Sequence, residues 1–194
     1  MRRNFNVLTA SLLALLPAMP SAATAKDFKT ETVTISAETV ADHLDHPWGL
    51  AFLPDGALLV TERSGSIRIV DRESVSEPVG NVPEVAASGQ GGLLDIALAP
   101  DFAESSRIYF TFSQPGNGGA GTALASAKLV RNGASATLED VTILVSMKKK
   151  TTKGQHFGSR IVLAPDGKLF VTMGERGEKD RAQDFRDHAG AVLR

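Results

Sequence analysis

Cysteine is absent from the 194-residue sequence, and no hydrophobic run is long enough to cross a membrane. Without cysteine no disulfide can form, so stability must come from packing or from a bound ion or cofactor. The apolar stretch from Val7 to Leu16 is well short of the ~20 residues that a spanning helix needs. The formal net charge is only −1, and basic residues gather only at Lys148-Lys149-Lys150. We therefore expect neither a nucleic-acid partner nor a membrane span.

The first 25 residues show the three zones of a secretory signal. Arg2 and Arg3 form a basic start, the apolar stretch follows, and the small residues Ala23-Thr24-Ala25 come after two prolines. We predict a signal peptide over residues 1–25, with cleavage after Ala25 or close to it. A membrane anchor is the alternative, which the short apolar stretch disfavours. The mature protein is accordingly expected in the periplasm or outside the cell.

A strand–turn–strand unit recurs along the chain. Pro-Asp pairs begin at positions 54, 100 and 165, and the first and third continue as Pro-Asp-Gly. This tripeptide is a tight-turn signal, because proline presets φ and glycine accepts a positive φ. Short apolar or alternating runs flank each pair, as expected of β-strands. The spacings are 46 and 65 residues, the second enlarged by a glycine-rich insertion at 115–121. A repeat of ~40–50 residues with several strands is typical of β-propeller blades.

Helical periodicity is weak throughout, so the sequence predicts an all-β chain folded as a β-propeller. Residues 26–194 suffice for about three to four blades, whereas a propeller needs 4–8 blades to close its ring. We therefore expect an incomplete ring that forms the N-terminal part of a longer propeller, with the chain truncated. One alternative is an inert product whose open sheet edges promote aggregation.

A polar loop carries one histidine directly before two apolar runs. His156, within Gly154-Gln155-His156-Phe157-Gly158, is placed where the loop meets the start of a strand. A rigid sheet can present a reactive side chain from such a position. Histidine titrates near neutral pH and suits proton removal in catalysis; a loop histidine with no catalytic task is the alternative. Gly154 and Gly158 are expected to let a flat ligand approach the backbone closely.

Gln90 is a second candidate for a binding residue. It lies in the flexible run Ser88-Gly89-Gln90-Gly91-Gly92 before a predicted strand. Its amide can both donate and accept hydrogen bonds to a ligand, and the alternative is a glutamine that faces water. The run is no phosphate-binding loop, because it lacks the lysine and the helix that such a loop requires.

For other polar residues, two interpretations remain open. Asp95 either faces a central channel or binds backbone amides. Arg160 either orients a carboxylate or forms an ion pair on the face of a strand. Trp48 is expected to pack between blades rather than to stack on a sugar. The charged residues 175–181 should lie on the same rim as His156, and no single one of them is favoured. We predict no metal site, because no metal-ligand spacing relates His43, His46 and His188.

Three blocks together resemble a known family: His46-Pro47-Trp48-Gly49-Leu50-Ala51-Phe52-Leu53-Pro54-Asp55-Gly56, Gly89-Gln90-Gly91-Gly92-Leu93-Leu94-Asp95-Ile96-Ala97 and Gly154-Gln155-His156-Phe157-Gly158-Ser159-Arg160. In this order they are similar to the N-terminal half of the soluble glucose/sorbosone dehydrogenases, a family that includes periplasmic aldose sugar dehydrogenases using pyrroloquinoline quinone (PQQ). The similarity runs from about Asp42 to the last residue. It identifies residues 26–194 as the N-terminal part of such a domain.

The resemblance implies a six-bladed propeller with PQQ and Ca²⁺ at the top of its channel. It implies an oxidoreductase acting on CH–OH donors, in which aldoses become lactones, hydride passes to PQQ and an external acceptor takes the electrons. His156 would be the general base and a PQQ contact, and Gln90 a second PQQ contact. The family's PQQ-clamping cations and Ca²⁺ ligands would lie beyond this chain, which should therefore bind PQQ poorly or not at all. The competing hypothesis is a non-catalytic propeller that binds sugars or proteins through the same rim.

Overall fold

The computed structural model describes residues 25–72 and 74–194. The predicted signal peptide, residues 1–25, lies outside the described residues except for its last position. The chain divides into two compact units between Thr39 and Val40. In the first unit, β1 (Lys26–Lys29) and β2 (Thr34–Ala37) form an exposed antiparallel hairpin.

The second unit begins with a four-stranded antiparallel sheet whose strands are neighbours in sequence order. These strands are β3 (Pro47–Phe52), β4 (Leu58–Glu62), β5 (Ser66–Asp71) and β6 (Ser74–Val75). The predicted turn at Pro54-Asp55-Gly56 joins β3 to β4. Gly56 has a φ of 90° and donates its N–H to Leu53 O at 2.9 Å. This conformation explains the glycine at the end of the turn, because a positive φ is costly for other residues.

Two further sheets repeat this arrangement. The second sheet contains β7 (Leu93–Leu98), a short helix α1 (Phe102–Ser105) in the connection, and then β8 (Arg107–Gly116), β9 (Gly119–Asn132) and β10 (Ser135–Ser146). The third contains β11 (Gly158–Leu163), β12 (Leu169–Met173), a 3₁₀ helix (Lys179–Gln183) and β13 (Val192–Leu193). All strand pairs are antiparallel, and β7 contacts both β3 and β11.

The register between the first two strands slips at the same place in each sheet. The slips fall between Pro47 and Leu50, Leu93 and Ile96, and Gly158 and Ile161. Three successive four- or three-stranded meanders with side-by-side first strands are the blades of a β-propeller. Within the described part of the chain the sheets do not close into a ring. The predictions of an all-β class and of a partial propeller are therefore confirmed.

Apolar side chains fill the two junctions between successive blades. The first and second blades enclose a buried cluster that includes Leu59, Ile67, Ile108 and Phe110. A smaller cluster joins the second blade to the third and consists of Leu124, Met147, Ile161, Val171 and Met173. Alternating side chains place one apolar face of each strand in these clusters, as period-two patterning dictates. Among the residues that the structure describes, no helix is long and apolar enough to cross a membrane.

The second strand of each blade carries a threonine at an equivalent place: Thr61, Thr111 and Thr172. Each hydroxyl accepts a hydrogen bond from a main-chain N–H of the first strand in its own blade, where the register slips. Thr61 also donates to Leu94 O of the next blade at 2.6 Å, and Thr111 donates to Ser159 O at 3.0 Å. One hydroxyl thus satisfies main-chain groups on two blades and helps to fix the position of one blade relative to the next.

Candidate functional site

His156 lies in the loop that leads from β10 into β11, at the rim of the third blade. Its φ is 56°, in the left-handed region that residues other than glycine adopt rarely. The side chain is half exposed. A strained backbone conformation of this kind persists only where its surroundings hold it, and such residues concentrate at functional sites.

Three contacts hold His156 in this conformation. Its main-chain N–H donates to Gln90 Oε1 at 2.8 Å, and its carbonyl accepts from the N–H of Arg176 at 3.2 Å. Its ring Nδ1 makes a close hydrogen bond with Glu175 Oε1. The backbone on both sides of the side chain and one ring nitrogen are therefore fixed by three different residues.

The Glu175 contact decides which ring nitrogen of His156 can act as a base. The hydrogen bond with His156 lowers the pKa of the Glu175 carboxyl group from its usual value, so this group is ionised at neutral pH. An ionised carboxylate only accepts hydrogen bonds, so Nδ1 must carry the proton. In a neutral imidazole Nε2 then keeps its lone pair, and Nε2 has no hydrogen-bond partner among the described residues.

Gln90 and His156, 66 positions apart, are brought into direct contact. A main-chain hydrogen bond also joins the loop of Gln90 to the histidine loop, since the N–H of Gln90 donates to Gly154 O at 2.7 Å. On its other side Arg63 Nη1 donates to Gly89 O at 2.6 Å. Both predicted site residues therefore lie on one rim, as expected, and their catalytic and binding roles stay predictions.

Glu175 is a residue of this site that the sequence did not single out. It lies two residues after the end of β12, the strand that pairs with β11, and this pairing brings it to His156 at the same edge of the blade. One sequence feature could have identified Glu175: it is the first charged residue after the second predicted strand that follows His156. The expectation that residues 175–181 share the rim with His156 holds for Glu175.

The structure decides between the interpretations of Asp95 and Arg160, because the Asp95 carboxylate binds both a main-chain amide and the Arg160 side chain. Asp95 is buried, and its Oδ2 accepts the main-chain N–H of Ile161 at 2.7 Å. Its Oδ1 accepts from Arg160 Nη1 at 2.8 Å. The Arg160 guanidinium in turn lies 5.5 Å from the centre of the Trp48 ring. These residues therefore link the first strands of three successive blades.

The two glycines flanking the histidine loop differ in the space beside them. A Cβ added at Gly158, whose φ is 73°, would come within 2.7 Å of Gly174 N and Thr172 O. Gly154 faces the backbone of Gly89. The prediction that the glycine admits a flat ligand is thus wrong for Gly158, because protein backbone fills the space that its missing side chain leaves. For Gly154, where an added Cβ would meet only an ordinary contact, it stays a prediction.

The polar groups at the rim fit an oxygen-bearing ligand better than a metal ion. Nε2 of His156 can accept a hydroxyl proton, and the amide nitrogen of Gln90 can donate to a carbonyl oxygen. A quinone and a sugar offer these two kinds of oxygen. In residues 25–72 and 74–194, no three His, Asp or Glu side chains are grouped to hold a metal ion.

The fold defines the class of the protein: it is a partial β-propeller, and its loop rim carries a half-exposed histidine with one hydrogen-bonded ring nitrogen. The pattern of the family "Glucose / Sorbosone dehydrogenase" matches residues 44–194, and the chain belongs to this family.

Two curated relatives illustrate the membership. The chain is 43% identical over 164 residues to "Aldose sugar dehydrogenase YliI" of Escherichia coli (strain K12), covering 83% of this chain and 44% of that protein. It is 31% identical over 190 residues to "Quinoprotein glucose dehydrogenase B" of Acinetobacter calcoaceticus, covering 92% of this chain and 38% of the relative. The chain thus spans less than half the length of these relatives.

Solved structures give the same result for the fold. The apo form of the soluble aldose sugar dehydrogenase from Escherichia coli superposes with a TM-score of 0.73 at 42% identity, over 79% of this chain and 45% of that one. The PQQ-bound form of an aldose sugar dehydrogenase from Streptomyces coelicolor superposes with a TM-score of 0.71 at 31% identity, over 90% of this chain and 49% of that one.

Proposed function

We propose that this chain supplies the general-base part of a PQQ-dependent aldose dehydrogenase site, with His156 as the base. The observation that carries the proposal is the state of the imidazole: Nδ1 is bound to Glu175, Nε2 is free, and the side chain is half exposed beside Gln90. Family membership and the PQQ-bound relative support the cofactor. The relatives' names support an aldose as substrate.

Oxidation of an aldose at its anomeric carbon removes a proton from the hydroxyl and a hydride from the carbon. His156 Nε2 takes the proton, so that a new N–H bond forms while the O–H bond breaks and the product is the lactone. PQQ, when bound, supplies the two-electron acceptor for the hydride, and an external acceptor later removes the electrons. Glu175 stabilises the imidazolium that results, because its carboxylate faces the opposite ring nitrogen.

Gln90 has two tasks in this proposal. Its Oε1 holds the main-chain N–H of His156 and so helps to fix the base. Its amide nitrogen points its donors away from that bond and is the group proposed to contact a quinone oxygen. For Ca²⁺ the described residues offer no grouped ligands, so no step is assigned to it.

The test of the base is His156→Ala in the longest protein that carries this chain, assayed with PQQ, an aldose and an artificial electron acceptor. Turnover should fall by ~10²–10⁴-fold, the usual contribution of acid–base catalysis. His43→Ala is the matched control, since the His43 side chain is 91% exposed and should leave turnover unchanged. Equal turnover in the His156 variant and the wild type would remove His156 as the base.

We also propose that residues 1–25 direct export and are cleaved. The support is the sequence pattern of a basic start, an apolar stretch and small residues. N-terminal sequencing of protein recovered from a periplasmic extract should begin at or near Lys26. Recovery of the protein with Met1 intact in the cytoplasm would refute export.

A further inference from the structure

Arg176 is completely buried, although arginine is among the residues least often found inside proteins. Burial lowers the pKa of its guanidinium to about 10, so it stays charged at neutral pH. Its side-chain hydrogen bonds go to main-chain carbonyls, and among the described residues no carboxylate forms an ion pair with it. Glu175 and Glu178 act on it only through space, and a buried charge without a direct ion pair is costly and calls for a specific explanation.

The explanation lies in what Arg176 contacts. Nη1 donates to Gln155 O and Nη2 donates to Lys153 O, both in close hydrogen bonds. The guanidinium lies over the Phe157 ring, 3.3 Å from its centre. The main-chain N–H donates to His156 O. One residue therefore binds the histidine loop before, at and after the proposed base.

These contacts require a guanidinium in particular. Its planar fork reaches two carbonyl oxygens at once while its face packs on an aromatic ring. The ammonium of a lysine is a point charge and cannot do both. Since the left-handed backbone of His156 is unfavourable by itself, the loop needs such external bonds to remain in place.

We infer that Arg176 is a positioning residue for His156: it holds residues 153–157 in the one conformation that aims the imidazole from the rim toward a ligand. The inference rests on the proposed function of His156. The alternative is that Arg176 stabilises the third blade and has no effect on the position of His156.

Arg181 is the matched control that separates these two roles. It is nearly as buried as Arg176, at 9% exposed, and also donates to a main-chain carbonyl, that of Lys149. Its remaining hydrogen bonds go to the Asp187 carboxylate, and Glu178 is a second ion-pair partner at 3.6 Å. Loss of Arg181 should therefore reduce stability without touching the histidine loop.

The experiment compares Arg176→Ala, Arg176→Lys and Arg181→Ala by NMR on the folded protein. The readouts are the ring ¹⁵N shifts of His156, which report the protonated nitrogen, and the exchange rate of its amide. In Arg176→Ala the amide should exchange about ten- to a hundredfold faster, and the ring should lose its single Nδ1–H form. Millimolar guanidinium should restore both signals, and an equal concentration of sodium ions should not. Arg176→Lys should remain impaired, and Arg181→Ala should keep both wild-type signals.

Two results would overturn the inference. One is a wild-type amide exchange rate and ring signature in Arg176→Ala or in Arg176→Lys. The other is an equal change in Arg181→Ala, which would mean that the effect is general loss of stability. If Arg176→Ala does not fold, Arg176→Lys decides the matter by the same criteria. None of these readouts uses turnover, so a failure of the dehydrogenase assay would refute the proposed function alone.

Discussion

The hydroxyl of Thr111 donates a hydrogen bond to the main-chain carbonyl of Ser159, 3.0 Å away, and so joins the second blade to the third. Both residues are completely buried. The same hydroxyl accepts the N–H of Asp95 at 3.0 Å. Since Ser159 lies three residues after His156, this bond helps to fix the position of β11, the strand that follows His156, relative to the second blade.

Replacing Thr111 by valine should lower the free energy of unfolding by ~1–3 kcal/mol, because two buried main-chain groups lose their partner. Thr111→Ser keeps the hydroxyl and should cost clearly less. Urea unfolding followed by circular dichroism gives both values. If valine costs no more than serine, which keeps the hydroxyl but loses the methyl group, the two hydrogen bonds do not make the expected contribution to stability.

Asp95 links the second and third blades through its carboxylate, and Asp95→Leu should lower the free energy of unfolding by ~1–3 kcal/mol. The main cause is the buried N–H of Ile161, which would lose its acceptor. Arg160→Ala is the control, because the Arg160 side chain is 63% exposed and water can replace its ion pair. An equal loss in the two variants would show that the ion pair, not the main-chain bond, dominates.

Gly174 is the glycine of the site with the least room. A Cβ added there would overlap the carbonyl oxygen of His156, so Gly174→Ala must displace the histidine loop. We expect a loss of stability above ~2 kcal/mol. Gly154→Ala should be mild, since its added Cβ would meet Gly89 Cα at an ordinary 3.4 Å. Thermal unfolding of the two variants side by side tests this, and the reverse order would contradict it.

The pair of Glu175 and His156 should make stability depend on acid pH. The pKa of Glu175 is lowered in the folded state, chiefly by its hydrogen bond with His156. The pair therefore stabilises the fold above the unfolded pKa of about 4.5, and this contribution disappears as pH falls through the lower folded pKa. Glu175→Gln lacks the contribution at neutral pH.

Thermal midpoints between about pH 6 and pH 3 measure this difference. The wild type should lose more stability over this interval than Glu175→Gln, so the two curves should converge in acid. Glu178→Gln is the comparison on the same loop: Lys149 lowers the pKa of the Glu178 carboxyl group, so this variant shows how much acid dependence arises without the histidine. Parallel curves for the wild type and Glu175→Gln would contradict the assignment.

Much of the fold could be predicted because its signals are local. The Pro-Asp-Gly turns at 54–56 and 165–167 each join two paired strands, since proline and glycine fix a turn without help from distant residues. The spacing of the repeat then predicted that the strands form the blades of a β-propeller. The short helix α1 was not predicted, because four residues are too few for helical periodicity to appear.

The site could be predicted only in part, because its contacts join distant parts of the chain. His156 and Gln90 were candidates by residue type and by the resemblance, and the structure places them in contact. The burial of Arg176 could not be foreseen, because a run such as Glu175-Arg176-Gly177-Glu178 normally lies in solvent. Gly158 was misinterpreted because sequence shows a glycine but not which neighbour occupies the space beside it.

The three bonds that hold the main chain and ring of His156 also affect the thermodynamics of ligand binding. A side chain that must become ordered when a ligand arrives costs ~0.5–1.5 kcal/mol of conformational entropy. His156 is ordered before any ligand arrives, and folding has already met that cost. Under the proposed function, an incoming sugar would therefore encounter a rigid acceptor for its proton, and its affinity would not be reduced by the ordering of the loop.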